Sequence, residues 1–119
     1  MGYQGKDSWK ALYMYESATG YLGECITYIL KAVLHSIDGH TAQSDIAISR
    51  ARDKADCARI YMDSCEGVGT MLAQVAGTIE VSLSRFSSRD YRASKNAALK
   101  ASIMLDGLIR ATPDLVATR

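Results

Sequence analysis

Proline is almost missing from this chain: Pro113 is the only one in 119 residues. The preceding 112 positions therefore carry no obligatory helix breaker, and an all-helical fold is the expectation. Cysteine is scarce and odd in number. Cys25, Cys57 and Cys65 form no CxxC pair, which argues against a disulfide framework and for reduced thiols. An excess of charge of one sign is missing as well. Lys+Arg 14 against Asp+Glu 13 gives a formal net charge of +1, without the basic footprint of a protein that binds phosphate backbones, so no nucleic acid partner is expected. Long apolar runs are also lacking. The longest near the N-terminus, ITYILKAVL from Ile26 to Leu34, is broken by Lys31 and falls far short of the roughly 20 residues a membrane span needs. MGYQGKDSW has neither the basic nor the apolar region of a signal peptide, so a cytoplasmic protein is expected. Phenylalanine and tryptophan occur once each against seven tyrosines, amphipathic rings suited to a half-exposed surface where a partner packs.

What is present has helical spacing. From an N-cap candidate at Ser8, the positions Leu12, Tyr15, Thr19, Leu22, Ile26, Ile29, Val33 and Ile37 recur in steps of three and four. A second stripe, Met14, Ala18, Tyr21, Cys25, Tyr28 and Ala32, runs beside it, so helix one is apolar over more than half its circumference and is central to a core or covers a partner. Gly20 and Gly23 interrupt it at a cost of roughly 0.5 to 1 kcal/mol each. They clear a lane where either helix two or a client helix packs. SIDGHT, with Gly39 and the cap candidate Thr41, turns the chain into helix two, whose inner face reads Ile48, Ala51, Ala55, Ala58, Met62 and Cys65. CEGVGT marks the next turn. Helix three uses Leu72, Val75, Ile79, Leu83 and Phe86. Helix four, capped at Ser88, takes Tyr91, Ala98, Ala101, Leu105 and Leu108 inward and ends at Thr112 and Pro113. The short connections predict an antiparallel four-helix bundle, one domain over 1–119 with a core at about 8–111 and a flexible tail at 113–119. No internal repeat is visible in the letters.

Catalytic chemistry finds little support, and the chain reads as a non-enzyme without a cofactor. His35, His40 and Glu24 lie near one another, but the Glu-x-x-His pairs of di-iron bundles are absent, and the two histidines read as solvated side chains at a helix end. Cys25, Cys57 and Cys65 could share a core and hold a soft ion such as Cu(I). Buried cysteine acting as a small hydrophobe is the plainer reading. Gly67 and Gly69 lack the flanking residues of a phosphate loop.

Met14, Tyr15, Glu16, Ser17, Ala18, Tyr21 and Leu22, within MYESATGYLGEC, resemble the first-helix pattern of the FliS-type flagellar export chaperones. Ile48, Arg50, Ala51 and Asp53, within AISRARD, are similar to that family's second helix. CEGVGTMLAQ resembles its turn into helix three, and Ser87 to Ala111 has the length and place of its last helix. Helix three departs, reading GTIEVSLSRF where the family carries a tyrosine-rich segment. The resemblance implies a four-helix chaperone that binds the C-terminal helical segment of a secreted protein such as flagellin and masks it before export. The residues it singles out at or under a binding surface are Tyr15, Tyr21, Leu22, Ile48 and Ala51. DKADCARI is similar to the second helix of cysteine-rich four-helix copper-storage proteins, a family built on cysteines repeated along all four helices; only Cys25, Cys57 and Cys65 answer to that here. A third reading is a homo-oligomeric structural or adaptor bundle.

Overall fold

The computed structural model describes the backbone of residues 2–63, 65 and 69–117, and the side chains of 9–63, 65 and 69–111. Four helices follow in order: α1 Gly2–Ile37, α2 Thr41–Met62, α3 Gly69–Ser87 and α4 Tyr91–Ala117. The 36 residues of α1 make a rod of about 54 Å at the helical rise, and the molecule measures 58 × 20 × 17 Å. So α1 spans nearly its whole length.

Successive helices run antiparallel, as pairs of bonded residues converge on each turn. Ser44 Oγ donates to the Ala32 carbonyl, Arg59 pairs with Glu80 and Arg52 with Ser87, and Ser82 bonds Ser94. Tyr15 Oη donates to the Leu108 carbonyl and closes α1 on α4. The two apolar stripes of α1 are both used: Tyr15, Leu22, Ile26, Ile29 and Val33 are buried from the first, Ala18, Cys25 and Ala32 from the second. The core face of α2 is made of small residues, Ser44, Ala47, Ala51, Ala55 and Ala58, which lets its backbone lie close to α1. Ile37, at the end of the first stripe and the last residue of α1, is exposed where the helix gives way to the Gly39 turn.

Several boundaries differ from expectation. Helix α1 begins at Gly2, so Ser8 lies inside it; no proline stands in residues 2–7 to stop the backbone sooner. Thr41 is the first helical residue of α2, and the N-cap position belongs to His40, which makes no side-chain cap bond. Helix α2 stops at Met62, and Cys65 follows in the connection, its N–H bonded to the Met62 carbonyl at 3.0 Å. Gly67 lies outside the described residues. The cap of α4 is Asp90 rather than Ser88: its Oδ1 accepts from the Ala93 N–H at 3.2 Å, the usual reach from N-cap to third residue. Helix α4 continues past Pro113 to Ala117, so the one proline does not end it. Residues 113–117 are thus helical, and Thr118 and Arg119 lie outside the described residues.

A repeat invisible in the letters is plain in three dimensions. Buried positions of the first hairpin recur fifty residues later in the second: Leu22 and Leu72, Cys25 and Val75, Ile29 and Ile79, Ser44 and Ser94, Ala51 and Ala101, Ala58 and Leu108. The turns match bond for bond. His40 N–H reaches the His35 carbonyl and Gly39 N–H that of Ser36; Asp90 N–H reaches Arg85 and Arg89 N–H reaches Phe86. Each is the paired-bond ending that needs one residue in the left-handed region, and that residue is Gly39 at φ 80° in one turn and Arg89 at φ 64° in the other. The chain is two like helical hairpins, α1–α2 and α3–α4, folded against each other.

The two seams between the hairpins are unequal. The α1–α4 seam is close: beside the Tyr15 to Leu108 bond, a Cβ added to Gly23 would meet Leu105 Cδ2 at 3.7 Å. The α2–α3 seam is bridged by polar pairs, Arg59 to Glu80 and Arg52 to Ser87, both at 2.8 Å.

Candidate functional site

The cores of the hairpins correspond, but their outer faces do not. The candidate surface is the outer face of α1–α2. Trp9 and Tyr13, one helical turn apart on α1, stack with ring centres 5.9 Å apart. Tyr13 meets Tyr61 of α2 edge-on at 6.5 Å, and Tyr61 stacks on Tyr21 at 5.7 Å. The outer rings are open to solvent, Trp9 being 69% and Tyr13 49% exposed. Tyr21 and Tyr61 are half-buried and anchor the row against the core.

Cations continue the row toward the Gly39 turn. Lys54 lies over the Tyr21 ring, and Lys31 and Arg50 bracket Tyr28 at 5.4 and 5.9 Å. Such placement gains from attraction to the ring faces as well as from packing of the alkyl stems. Lys54 is also paired with Glu24 at 3.1 Å, and that carboxylate raises the affinity of Lys54 for its proton. Among the described residues no carboxylate pairs with Lys31 or Arg50. Tyr61 is held above the usual tyrosine range, first by Tyr13 and then by Tyr21.

The twin face carries none of this. Fifty residues on from Tyr21, Tyr28, Lys31, Lys54 and Tyr61 stand Met71, Thr78, Val81, Met104 and Ala111. Between α3 and α4, Thr78, Val81 and Met104 border a shallow trough of about 400 Å³ beside Gly77.

The residues singled out by sequence divide between core and surface. Tyr15, Leu22 and Ala51 are buried, the first with its hydroxyl on the Leu108 carbonyl. Tyr21 belongs to the aromatic row. Ile48 is half-buried on the far side of α2, in a cleft between the two turns. The structure therefore does not bring the five together on one face. Trp9, Tyr13 and Tyr61 were not among them, although the spacing of Trp9, Tyr13 and Tyr21 along one helix and the tyrosine surplus were signals for the row.

Among the described residues no group of three His, Cys, Asp or Glu side chains converges to hold a metal ion. Cys25 and Cys65 are buried and Cys57 is half-buried. Burial, followed by the nearby Glu80, pushes the Cys25 thiol up to about 12, so it is a poor thiolate ligand near neutrality. His35 and His40 lie with rings 5.7 Å apart at the turn, and Glu24 is engaged with Lys54. No described helix is long and apolar enough to cross a membrane.

No family model, curated protein or solved structure matches the chain.

Proposed function

We infer that the bundle is a non-catalytic, cytoplasmic protein-binding chaperone of the export type, which holds an amphipathic helical segment of its client along the aromatic row of α1–α2. The observation that carries this reading is the row Trp9, Tyr13, Tyr61 and Tyr21, solvent-open at its outer rings, with Met71 and Ala111 standing in the other hairpin where Tyr21 and Tyr61 stand in this one. Large rigid rings lose little rotamer freedom on binding and are enriched where partners dock. A helix laid along the row would place apolar side chains at three- and four-residue spacing on the rings. Its end near Tyr28 would meet Lys31 and Arg50 and is best acidic.

The resemblance to flagellar export chaperones nominates the client: the C-terminal helical segment of flagellin. Titration calorimetry of the full chain with that peptide tests both client and face. Saturable binding is expected, weakened about thirtyfold by Trp9→Ala or Tyr13→Ala if each ring anchors the helix. Val81→Ala, on the twin face, should leave it unchanged. No binding by the unaltered protein would sink the client, and equal loss in all three variants would sink the face.

A further inference from the structure

At the end of the bundle where both hairpins turn, the α2–α3 seam widens into a cleft of about 510 Å³, within the range of small-molecule sites. Two arginines line it, Arg52 from α2 and Arg89 from the second turn. Among the described residues neither is paired with a carboxylate within 4.0 Å, so both are free to take an anion. Arg52 is held across the seam by its bond to Ser87 Oγ at 2.8 Å, so one guanidinium is already positioned before any ligand arrives.

Arg89 has an internal control. It occupies the left-handed position that Gly39 fills in the twin turn, with the same hydrogen bonds around it. Glycine is the unstrained choice there, and a long cationic residue that borders the cleft is kept instead. The remaining wall is mixed. Ile48 and the Phe86–Tyr91 ring pair, 5.2 Å apart, supply an apolar side, and Ser36, Thr41 and Asp45 supply donors and acceptors.

We propose that this cleft binds a phosphomonoester with a flat, hydroxylated body, of the nucleoside monophosphate class, its phosphate on Arg52 and Arg89 and its body against Ile48 and Phe86. Arginine's planar fork matches phosphate oxygens two at a time. The Asp45 carboxylate and the Ser36 and Thr41 hydroxyls bond hydroxyls of the body. The cleft lies on the opposite side of α2 from the aromatic row, so ligand and client are held at separate places.

Calorimetry of the full chain with adenosine 5′-monophosphate, inorganic phosphate and adenosine tests the assignment. The monophosphate should bind tightest, phosphate more weakly, and adenosine not measurably. Arg52→Gln and Arg89→Gln should each weaken the monophosphate at least about tenfold, and Arg110→Gln, on the outside of α4, should not. Arg89→Gly keeps the turn in a conformation glycine prefers and so folds; it should melt higher than the unaltered protein and still lose the ligand. Absence of saturable binding at millimolar monophosphate overturns the site, as does equal weakening by Arg110→Gln. Equal affinity for phosphate and monophosphate overturns the ligand class.

Discussion

Ser82 and Ser94 face each other across the second hairpin and exchange hydrogen bonds: Ser82 Oγ donates to the Ser94 carbonyl at 2.7 Å, and Ser94 Oγ donates to the Ser82 carbonyl at 2.8 Å. Both are fully buried. Each hydroxyl proton is thereby committed to a carbonyl, so the 3.2 Å approach of the two hydroxyl oxygens is a consequence of the pairing. In the first hairpin Ser44 repeats one half of the exchange, donating to the Ala32 carbonyl at 3.0 Å, and bonds Ser36 as well. Small polar side chains let α3 and α4 approach closely while fixing their register, which apolar packing alone specifies weakly.

Removing either hydroxyl should be felt. Ser94→Ala and Ser82→Ala are each expected to cost about 1 kcal/mol, the net worth of one buried hydrogen bond. Urea unfolding should show the loss as a lower midpoint with an unchanged slope. The double variant should cost about the sum of the two, because the two donations use different protons and different carbonyls.

Tyr15→Phe should likewise cost about 1 kcal/mol, since it removes the donor to the Leu108 carbonyl from a buried site and leaves the ring in place. A residue drawn by its motif to a binding surface would instead lose client affinity and keep its melting temperature. Melting and client titration on the same variant separate the two roles.

Gly20 and Gly23 give the opposite sign. A Cβ at Gly20 meets nothing within 4 Å, and one at Gly23 makes only ordinary contact with Leu105. Neither glycine faces α2. Gly20→Ala and Gly23→Ala should each stabilise the protein by about 0.5 to 1 kcal/mol, through helix propensity alone at Gly20 and with added packing at Gly23. Paired thermal melts check this, and destabilisation by Gly23→Ala would mean the α1–α4 seam has no room.

Stability should fall in alkali. The Cys25 thiol releases its proton near its ordinary value of 9.0 when unfolded but only at about 12 when folded, through burial and then Glu80. The unfolded state therefore loses the proton first. The stabilisation is complete below pH 9 and drains away as pH rises through the folded value. Cys65, raised by burial, and Tyr61, raised by Tyr13 and Tyr21, act in the same direction. Urea midpoints should decline above pH 9, and Cys25→Ala should make the decline shallower.

The helical fold and most of its interior were legible because apolar spacing reports directly on burial: Leu72, Val75, Ile79 and Leu83 on α3 and Ala98, Ala101, Leu105 and Leu108 on α4 all face inward as their periods require. The buried serines were not legible, since a hydroxyl in a helical stripe looks like a surface residue until its acceptor is seen. The duplication was hidden for a related reason. Packing constrains size and polarity more than identity, so Cys25 answers to Val75 and Ala58 to Leu108, and the one turn glycine that would have announced the repeat is Arg89 in the second copy. The aromatic row needed α2 as well as α1, because Tyr61 lies between Tyr13 and Tyr21 in space and forty residues beyond the latter in the chain.

The unequal seams bear on how the molecule assembles. Each hairpin joins residues near in sequence and can form early, but Tyr15 and Leu108 are 93 positions apart, so the α1–α4 seam closes only once both hairpins exist. Nothing in that seam requires Leu108 to come from the same chain as Tyr15. A second molecule offers the same carbonyl, and two copies trading their second hairpins would satisfy every bond that one copy satisfies alone. What favours the closed monomer is tethering: the few residues between Met62 and Gly69 keep the second hairpin at high local concentration. Concentrated refolding is where that advantage shrinks, and an exchanged dimer is the species to look for there.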